Sequence, residues 1–274
     1  MSVENKKTIG ILGCGWLGLP LAQQLVEEGY IVRGSTTQVS KLEKITKTGA
    51  RAFIVQCEED KCTGLATFLR QIDCLVIALP PGVRANPARR FDLVIQNIQK
   101  EIIAQGVQKV LFISSTAVYG EAEGTIVETT PTVAVSSSGK QLVQCEQILQ
   151  KGTAYDTSII RFGGLIGPDR HPVFSLAKRA QIDNPEGKIN FIHLDDCIEL
   201  IKRCIQFFQN GSIYNGVSPY HPTRIDYYTE MAKKAAVPLP PFRKQRGIIR
   251  TISSQKAEKN LGIRFVVENL LTLN

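Results

Sequence analysis

Gly13-Cys14-Gly15-Trp16-Leu17-Gly18 is the stretch from which the rest of this chain is read. It has the spacing G-x-G-x-x-G, and its flanks give that spacing meaning. Before it, residues 8–12 (Thr-Ile-Gly-Ile-Leu) form a short apolar run that reads as a strand. After it, from 17 to 28, Leu17, Leu21, Leu25 and Val26 fall on one helical face, and Gly29 ends the helix. A glycine loop between a strand and a helix is the fingerprint of a dinucleotide-binding unit. Gly13 allows the tight turn. Gly15 lets a pyrophosphate approach the backbone, and Gly18 lets the helix pack close to the strand. The helix N-terminus then offers free N–H groups and a positive dipole end. Pro20 fits the first turn, where a missing N–H costs nothing.

Working outward, apolar runs at 30–33, 52–55, 73–79, 109–115 and 157–162 alternate with helical patterns at 41–48, 89–105 and 140–150. The run from Cys74 to Leu79 is unbroken, as in a strand buried on both faces. Strands alternating with helices predict an α/β fold with a doubly wound parallel sheet of Rossmann type, its ligand at the carboxyl ends of the strands. After Gly163 the pattern becomes mixed. Helices are expected at 173–180, 195–208 and 224–235, and strands at 189–192 and 212–215. Pro238-Leu239-Pro240-Pro241 reads as a rigid linker. A last helix at 253–261 has Ser253 as N-cap and Gly262 just past its end. Residues 1–163 are expected to form the dinucleotide-binding domain, with 189–215 returning to it. Residues 164–188 and 216–274 are expected to form a smaller, mixed C-terminal substrate lobe.

The 274 residues are 43% hydrophobic and 21% charged, which fits a globular chain with a full core. No apolar run reaches the length of a membrane span. Residues 1–7 are polar, so a cytoplasmic protein without a signal peptide is expected. The formal charge of +8 comes from scattered residues, with loose groups at Arg84, Arg89 and Arg90 and between Lys233 and Arg250. No basic stretch is interleaved with aromatics, so nucleic acid is not an expected partner. The seven cysteines lack the spacing of zinc or CxxC sites, and the three histidines do not form a metal constellation. Reduced, buried thiols and no metal are expected.

The end of the second strand bears on cofactor choice. NAD binders usually place a carboxylate there to hold the ribose 2′-OH. Here the residues are Arg33-Gly34-Ser35-Thr36-Thr37, with no acid. Hydroxyls and a nearby arginine suit a 2′-phosphate, so NADP is expected, with NAD as the other choice. The hydroxyls could equally cap the helix that follows.

Phe112-Ile113-Ser114-Ser115-Thr116-Ala117-Val118-Tyr119-Gly120 resembles the fifth strand of the extended short-chain dehydrogenase/reductase superfamily, the NAD-dependent epimerases and dehydratases. Arg161 to Pro168, Phe191 to Asp196 and Tyr214 to Val217 are similar to later segments of that family, so the resemblance spans nearly the whole chain. The short glycine loop and the chain length are most similar to its atypical YeeZ-like subgroup. The first eighteen residues also resemble the openings of β-hydroxyacid dehydrogenases and ketopantoate reductases, but the mixed tail does not suit their helical second domain.

The family resemblance implies a catalytic Ser on the fifth strand and a Tyr-x-x-x-Lys on the next helix. It places the Ser at Ser115 and the Lys at Lys140, which puts Ser136 where the Tyr should be. A serine hydroxyl cannot replace a tyrosinate at neutral pH without a separate base. Three readings follow: an acid from elsewhere, with Tyr119 or His193 as candidates; a reaction needing little side-chain proton transfer; or dinucleotide binding without turnover. The catalytic candidates are thus Ser115, Lys140 and Tyr119. The cofactor-binding candidates are Gly13, Gly15, Trp16, Leu17, Gly18, Ser35, Thr36, Thr37, Leu79 and Pro80. Arg161 and His193 are substrate-binding candidates, although a salt bridge inside the fold would equally account for Arg161. The expected activity is that of an oxidoreductase or epimerase-like enzyme on a small polar substrate such as a nucleotide sugar. The alternative is a dinucleotide sensor. A homodimer through helices 89–105 and 140–150 is compatible with the pattern.

Overall fold

A computed structural model describes residues 6–82, 86–243, 247–267 and 269–272. Arg84, residues 1–5 of the polar start and residues 244–246 of the basic stretch lie outside the described residues. Seven strands build the central sheet: β1 (Thr8–Leu12), β2 (Ile31–Thr36), β3 (Arg51–Ile54), β4 (Cys74–Ile77), β5 (Lys109–Ser115), β6 (Asp156–Phe162) and β7 (Ile213–Gly216). Their order in space is β7-β6-β5-β4-β1-β2-β3. Every neighbouring pair is parallel. The helices are α1 (Gly18–Glu27), α2 (Leu42–Thr46), α3 (Leu65–Leu69), α4 (Phe91–Ala104), α5 (Ser137–Gln150), α6 (Val173–Leu176), α7 (Leu194–Gln206), α8 (Arg224–Lys234) and α9 (Gln255–Leu261).

Alternation along the strands sends side chains to two cores. Ile9, Ile11, Cys74, Val76 and Leu111 pack with α1 and α7 on one face. Leu75, Ile77, Val110 and Phe112 pack with α3, α4 and α5 on the other. The sheet is therefore doubly wound, and each fully buried aliphatic side chain contributes about 1.5–3 kcal/mol. A third cluster joins Ile166, Val173, Leu176 and Ile189 to Tyr227, Tyr228 and Met231. Ala257, Leu261, Ile263 and Phe265, read from the sequence as part of the smaller lobe, pack instead in the first core with α7.

Several boundaries differ from the sequence reading. β2 continues three residues past Arg33, because Arg33 to Thr36 pair with Arg51 to Ile54 of β3. Partners in the sheet outweigh the breaking tendency of Gly34. A Cβ on Gly34 would lie 2.7 Å from Cys14 Sγ, so the glycine serves close packing and not a turn. α5 begins at Ser137, since Ser136 Oγ accepts the Gly139 N–H at 3.1 Å as an N-cap. The expected helix at 173–180 stops at Leu176. α9 follows Ser254, not Ser253, and the Ser254 hydroxyl donates to the Val217 carbonyl at 2.6 Å. The sequence reading missed α3, the hairpin of Gln56–Cys57 with Cys62–Thr63, and the strand pair Gly124–Ile126 with Arg250–Ile252. Among the described residues no helix is long and apolar enough to cross a membrane, and no group of His, Cys, Asp and Glu could hold a metal ion.

Candidate dinucleotide trough

The strand order turns back between β1 and β4, which is where open parallel sheets bind ligands. Two adjoining cavities lie there. One, of about 600 Å³, is lined by Gly13 to Gly15, Ser35 to Thr37, Lys41, Val55 to Glu58, Ala78 to Pro80 and Arg89. The other, of about 300 Å³, is lined by Gly13, Gly15 to Gly18, Ala78 to Pro81, Ile113 to Ser115, Leu142, Leu165 and Arg170. They share Gly13, Gly15 and Ala78 to Pro80, so they form one trough across the glycine loop.

The loop itself is built as its spacing demands. Gly13 has φ +109°, and a Cβ there would press on the Ala78 carbonyl. A Cβ on Gly18 would lie 2.2 Å from the Gly13 carbonyl oxygen, so only glycine lets α1 start so near β1. Above Gly15 there is open space: an added Cβ would meet nothing within 4 Å. The surroundings thus fit a pyrophosphate at Gly15.

The remaining cofactor-binding candidates divide. Ser35 is buried and its Oγ accepts the Gly13 N–H at 3.0 Å, so it fixes the loop from beneath. Thr36 is nearly buried and accepts the Gln38 N–H at 3.2 Å. Thr37 is exposed and reaches the trough, as do Leu79 and Pro80. Trp16 lines the second cavity, donates its indole N–H to the Pro168 carbonyl at 2.9 Å, and lies under the Arg170 guanidinium at 4.9 Å. It locks the glycine loop to the 167–170 segment. Arg33 points away from the trough: it donates to the Phe68 carbonyl at 3.2 Å and sits over the Phe53 ring. The cations lining the trough's first half are instead Lys41 and Arg89, and Glu58 is in the same lining. Arg89 Nε is buried there without a hydrogen-bond partner. Sequence reasoning missed Lys41 because it follows β2 by five residues, beyond the short window that was read for a 2′-phosphate site.

The expected catalytic residues are not brought together. Ser115 ends β5, lines the second cavity, and accepts the Ala117 N–H at 3.2 Å, leaving its own proton free. Tyr119 is fully buried and outside the trough. Its hydroxyl donates to Asn215 Oδ1 at 2.7 Å and accepts from Arg161 at 3.0 Å. Burial pushes its pKa above the ordinary phenol value, against the pull of the Arg161 charge. Arg161 is buried as well, forked onto Glu146 with a shortest contact of 2.7 Å, and Glu146 also takes a bond from Ser114 at 2.5 Å. Burial alone would lower the Arg161 pKa, but the Glu146 hydrogen bonds and charge raise it. The structure places Tyr119 and Arg161 in a buried polar network outside the trough. Of the two readings of Arg161, the structure takes the salt bridge.

Lys140 and Ser136 are both exposed, and neither lines the trough. The residue of α5 that does is Leu142. His193 caps α7, accepting the Asp195 N–H at 3.3 Å, and faces another cavity of about 440 Å³ with His171, Phe174 and Arg170, the last of which also lines the trough.

A family model described as NAD(P)H-binding matches residues 13–190. Protein YeeZ of Escherichia coli K12 is 35% identical over 244 residues, covering 86% of this chain and 87% of its own. The chain belongs to the NAD(P)H-binding family and is a YeeZ-like member of it. Solved structures of epimerases carry the same fold. The UDP-glucuronic acid 4-epimerase of Bacillus cereus in complex with NAD superposes with a TM-score of 0.79 at 20% identity, covering 95% of this chain and 92% of that one. The UDP-glucose 4-epimerase of Thermotoga maritima does so with 0.80 at 19% identity, covering 96% and 95%. In this chain the glycine loop is kept, and Leu142 is the residue of α5 that lines the trough.

Proposed function

We propose that this chain binds NADP along the trough and uses it on a small anionic, polar substrate of the nucleotide-sugar type. The observation that carries the reading is the open face above Gly15, continuous with both halves of the trough. Thr37, Lys41 and Arg89 would hold the 2′-phosphate, because a phosphate gains most from charged donors already facing an anion-sized space. When bound, the dinucleotide supplies hydride exchange next to Ser115.

Beyond Ser115, Thr116 begins a polar cleft of about 290 Å³ lined by Lys188, Asn190, Arg224 and Arg250. Asn184 Oδ1 in the same lining is buried and unpartnered. These cations suit a substrate with phosphate or carboxylate groups, and they replace Arg161 and His193 in that role. Ser115 would donate to a substrate oxygen. No tyrosine or lysine is among the residues lining that half of the trough, so proton exchange falls to water or to the substrate itself. The proposed setting is the reducing cytoplasm, matching the seven free thiols. A second copy would dock through α4 and α5, without nucleic acid.

Titration of NADPH and NADH by cofactor fluorescence tests the first step. Saturable NADPH binding is expected, roughly tenfold or about 1.4 kcal/mol tighter than NADH. Absence of saturable binding by either dinucleotide would remove the proposal. A second reading, a dinucleotide sensor without turnover, draws on Leu142 rather than Lys140 lining the trough. Robust hydride transfer to any member of a panel of nucleotide sugars and carbonyl compounds would exclude it.

A further inference from the structure

The hairpin at the rim of the trough carries two thiols that the proposed function leaves unused. Cys57 and Cys62 are direct cross-strand partners in the antiparallel pair Gln56–Cys57 and Cys62–Thr63. The Glu58 N–H donates to the Lys61 carbonyl at 2.9 Å and closes the turn. The next pair inward, Cys57 with Cys62, therefore takes the non-hydrogen-bonded position. There α-carbons stand about 4.5 Å apart and side chains approach most closely. That spacing falls within the range a disulfide can span without backbone movement. Cys57 is nearly buried and lines the trough, whereas Cys62 is half-exposed.

We infer that Cys57 and Cys62 form a reversible disulfide, with Cys62 as the thiol that meets the oxidant and Cys57 as the thiol that resolves it. The asymmetry of the two environments supports these roles. The hydrogen bond from Cys57 holds the Cys62 pKa below the ordinary thiol value against the opposing effect of burial. The same bond, with burial second, pushes Cys57 up. Cys62 thus carries the thiolate character that thiol–disulfide exchange requires. The oxidant is a low-molecular-weight disulfide. Cys62 Sγ attacks one of its sulfurs, forming a mixed disulfide and releasing one thiolate. Cys57 gives its proton to that thiolate and attacks Cys62 Sγ, forming the Cys57–Cys62 bond and expelling the second thiolate, which takes the proton lost by Cys62. Two protein thiols are oxidised and one small disulfide is reduced to two thiols. The other buried cysteines, Cys14, Cys74, Cys145, Cys197 and Cys204, are not placed opposite one another in any strand pairing.

The test is peptide mapping by mass spectrometry after treating the full-length protein with oxidised glutathione. Expected is a Cys57–Cys62 crosslink, 2 Da lighter than the dithiol and reversed by dithiothreitol. C57S should stop at glutathione on Cys62, and C62S should leave Cys57 unmodified. Failure to form the crosslink in folded wild-type protein overturns the inference, as does glutathione found first on Cys57. Circular dichroism of each variant confirms that it is folded. The reading does not depend on NADP binding, so its failure and the failure of the proposed function are seen separately.

Discussion

One methyl group at Gly18 is too many, and one at Gly15 is too many only when a ligand is present. G18A would drive a Cβ to 2.2 Å from the Gly13 carbonyl oxygen, and the loop would have to move. It should cost about 1–3 kcal/mol in denaturant unfolding. G15A meets open space in the free protein, so its stability should stay within about 0.5 kcal/mol of wild type. NADPH affinity should fall at least tenfold in both, read by fluorescence titration. Lys41 gives a second prediction at this scale: K41E should erase the preference for NADPH over NADH while leaving the unfolding midpoint unchanged. The glycines were legible in the sequence because each role is a local backbone constraint. Lys41 and Arg89 were not, because their shared facing of the trough depends on where α2 and α4 pack. Tyr119 misled for the same reason. Its place after Ser115 gave a position in the chain, while Asn215, 96 residues away, gave its hydroxyl a buried partner.

Among the elements, α5 is the one whose register matters most. Glu146 ties it to β5 through Ser114 and to β6 through Arg161. Removing one partner leaves a buried charge, so E146Q should lose about 3–5 kcal/mol of unfolding free energy. Y119F removes one hydroxyl from the same network and should cost about 1–2 kcal/mol without altering NADPH affinity. The N-terminal end of α6 offers a pH prediction. His171 lies against Tyr227 at 2.8 Å and accepts the Val173 N–H at 3.1 Å. Burial holds its pKa down to about 4, against an ordinary 6.5. The folded protein keeps it neutral while the unfolded chain protonates near 6.5. Its stabilising contribution is therefore complete above about pH 6.5 and is lost as pH falls toward 4. The loss should be absent in H171Q when unfolding is followed across that range. The extra turn at the start of α5 was readable in principle from Ser136 as a cap. The direction of its inward face was not, because it is set by Leu142, Cys145, Glu146 and Leu149 packing on the sheet.

For the molecule as a whole, a ligand that binds only the folded chain must raise its melting temperature. NADPH at about a hundred times its Kd adds about 2.7 kcal/mol, a shift of roughly 5–10 °C for a chain of this size, measurable by calorimetry. No shift with either dinucleotide would count against the trough as the binding site. The same whole-molecule view separates two kinds of information. By itself the sequence determined the α/β class, the parallel sheet and the dinucleotide loop, since hydrophobic period, glycine spacing and the helix start act over a few residues. It also carried the family resemblance in short runs such as Ser114 to Gly120. Only the tertiary structure decided which side chains face the trough. It brought α9 onto the first core, paired Cys57 with Cys62, and buried Tyr119 and Arg161. It turned Leu142 rather than Lys140 toward Ser115. Those outcomes rest on contacts between distant segments and on helix rotation about its axis, and a residue's position along the chain fixes neither until the sheet has assembled.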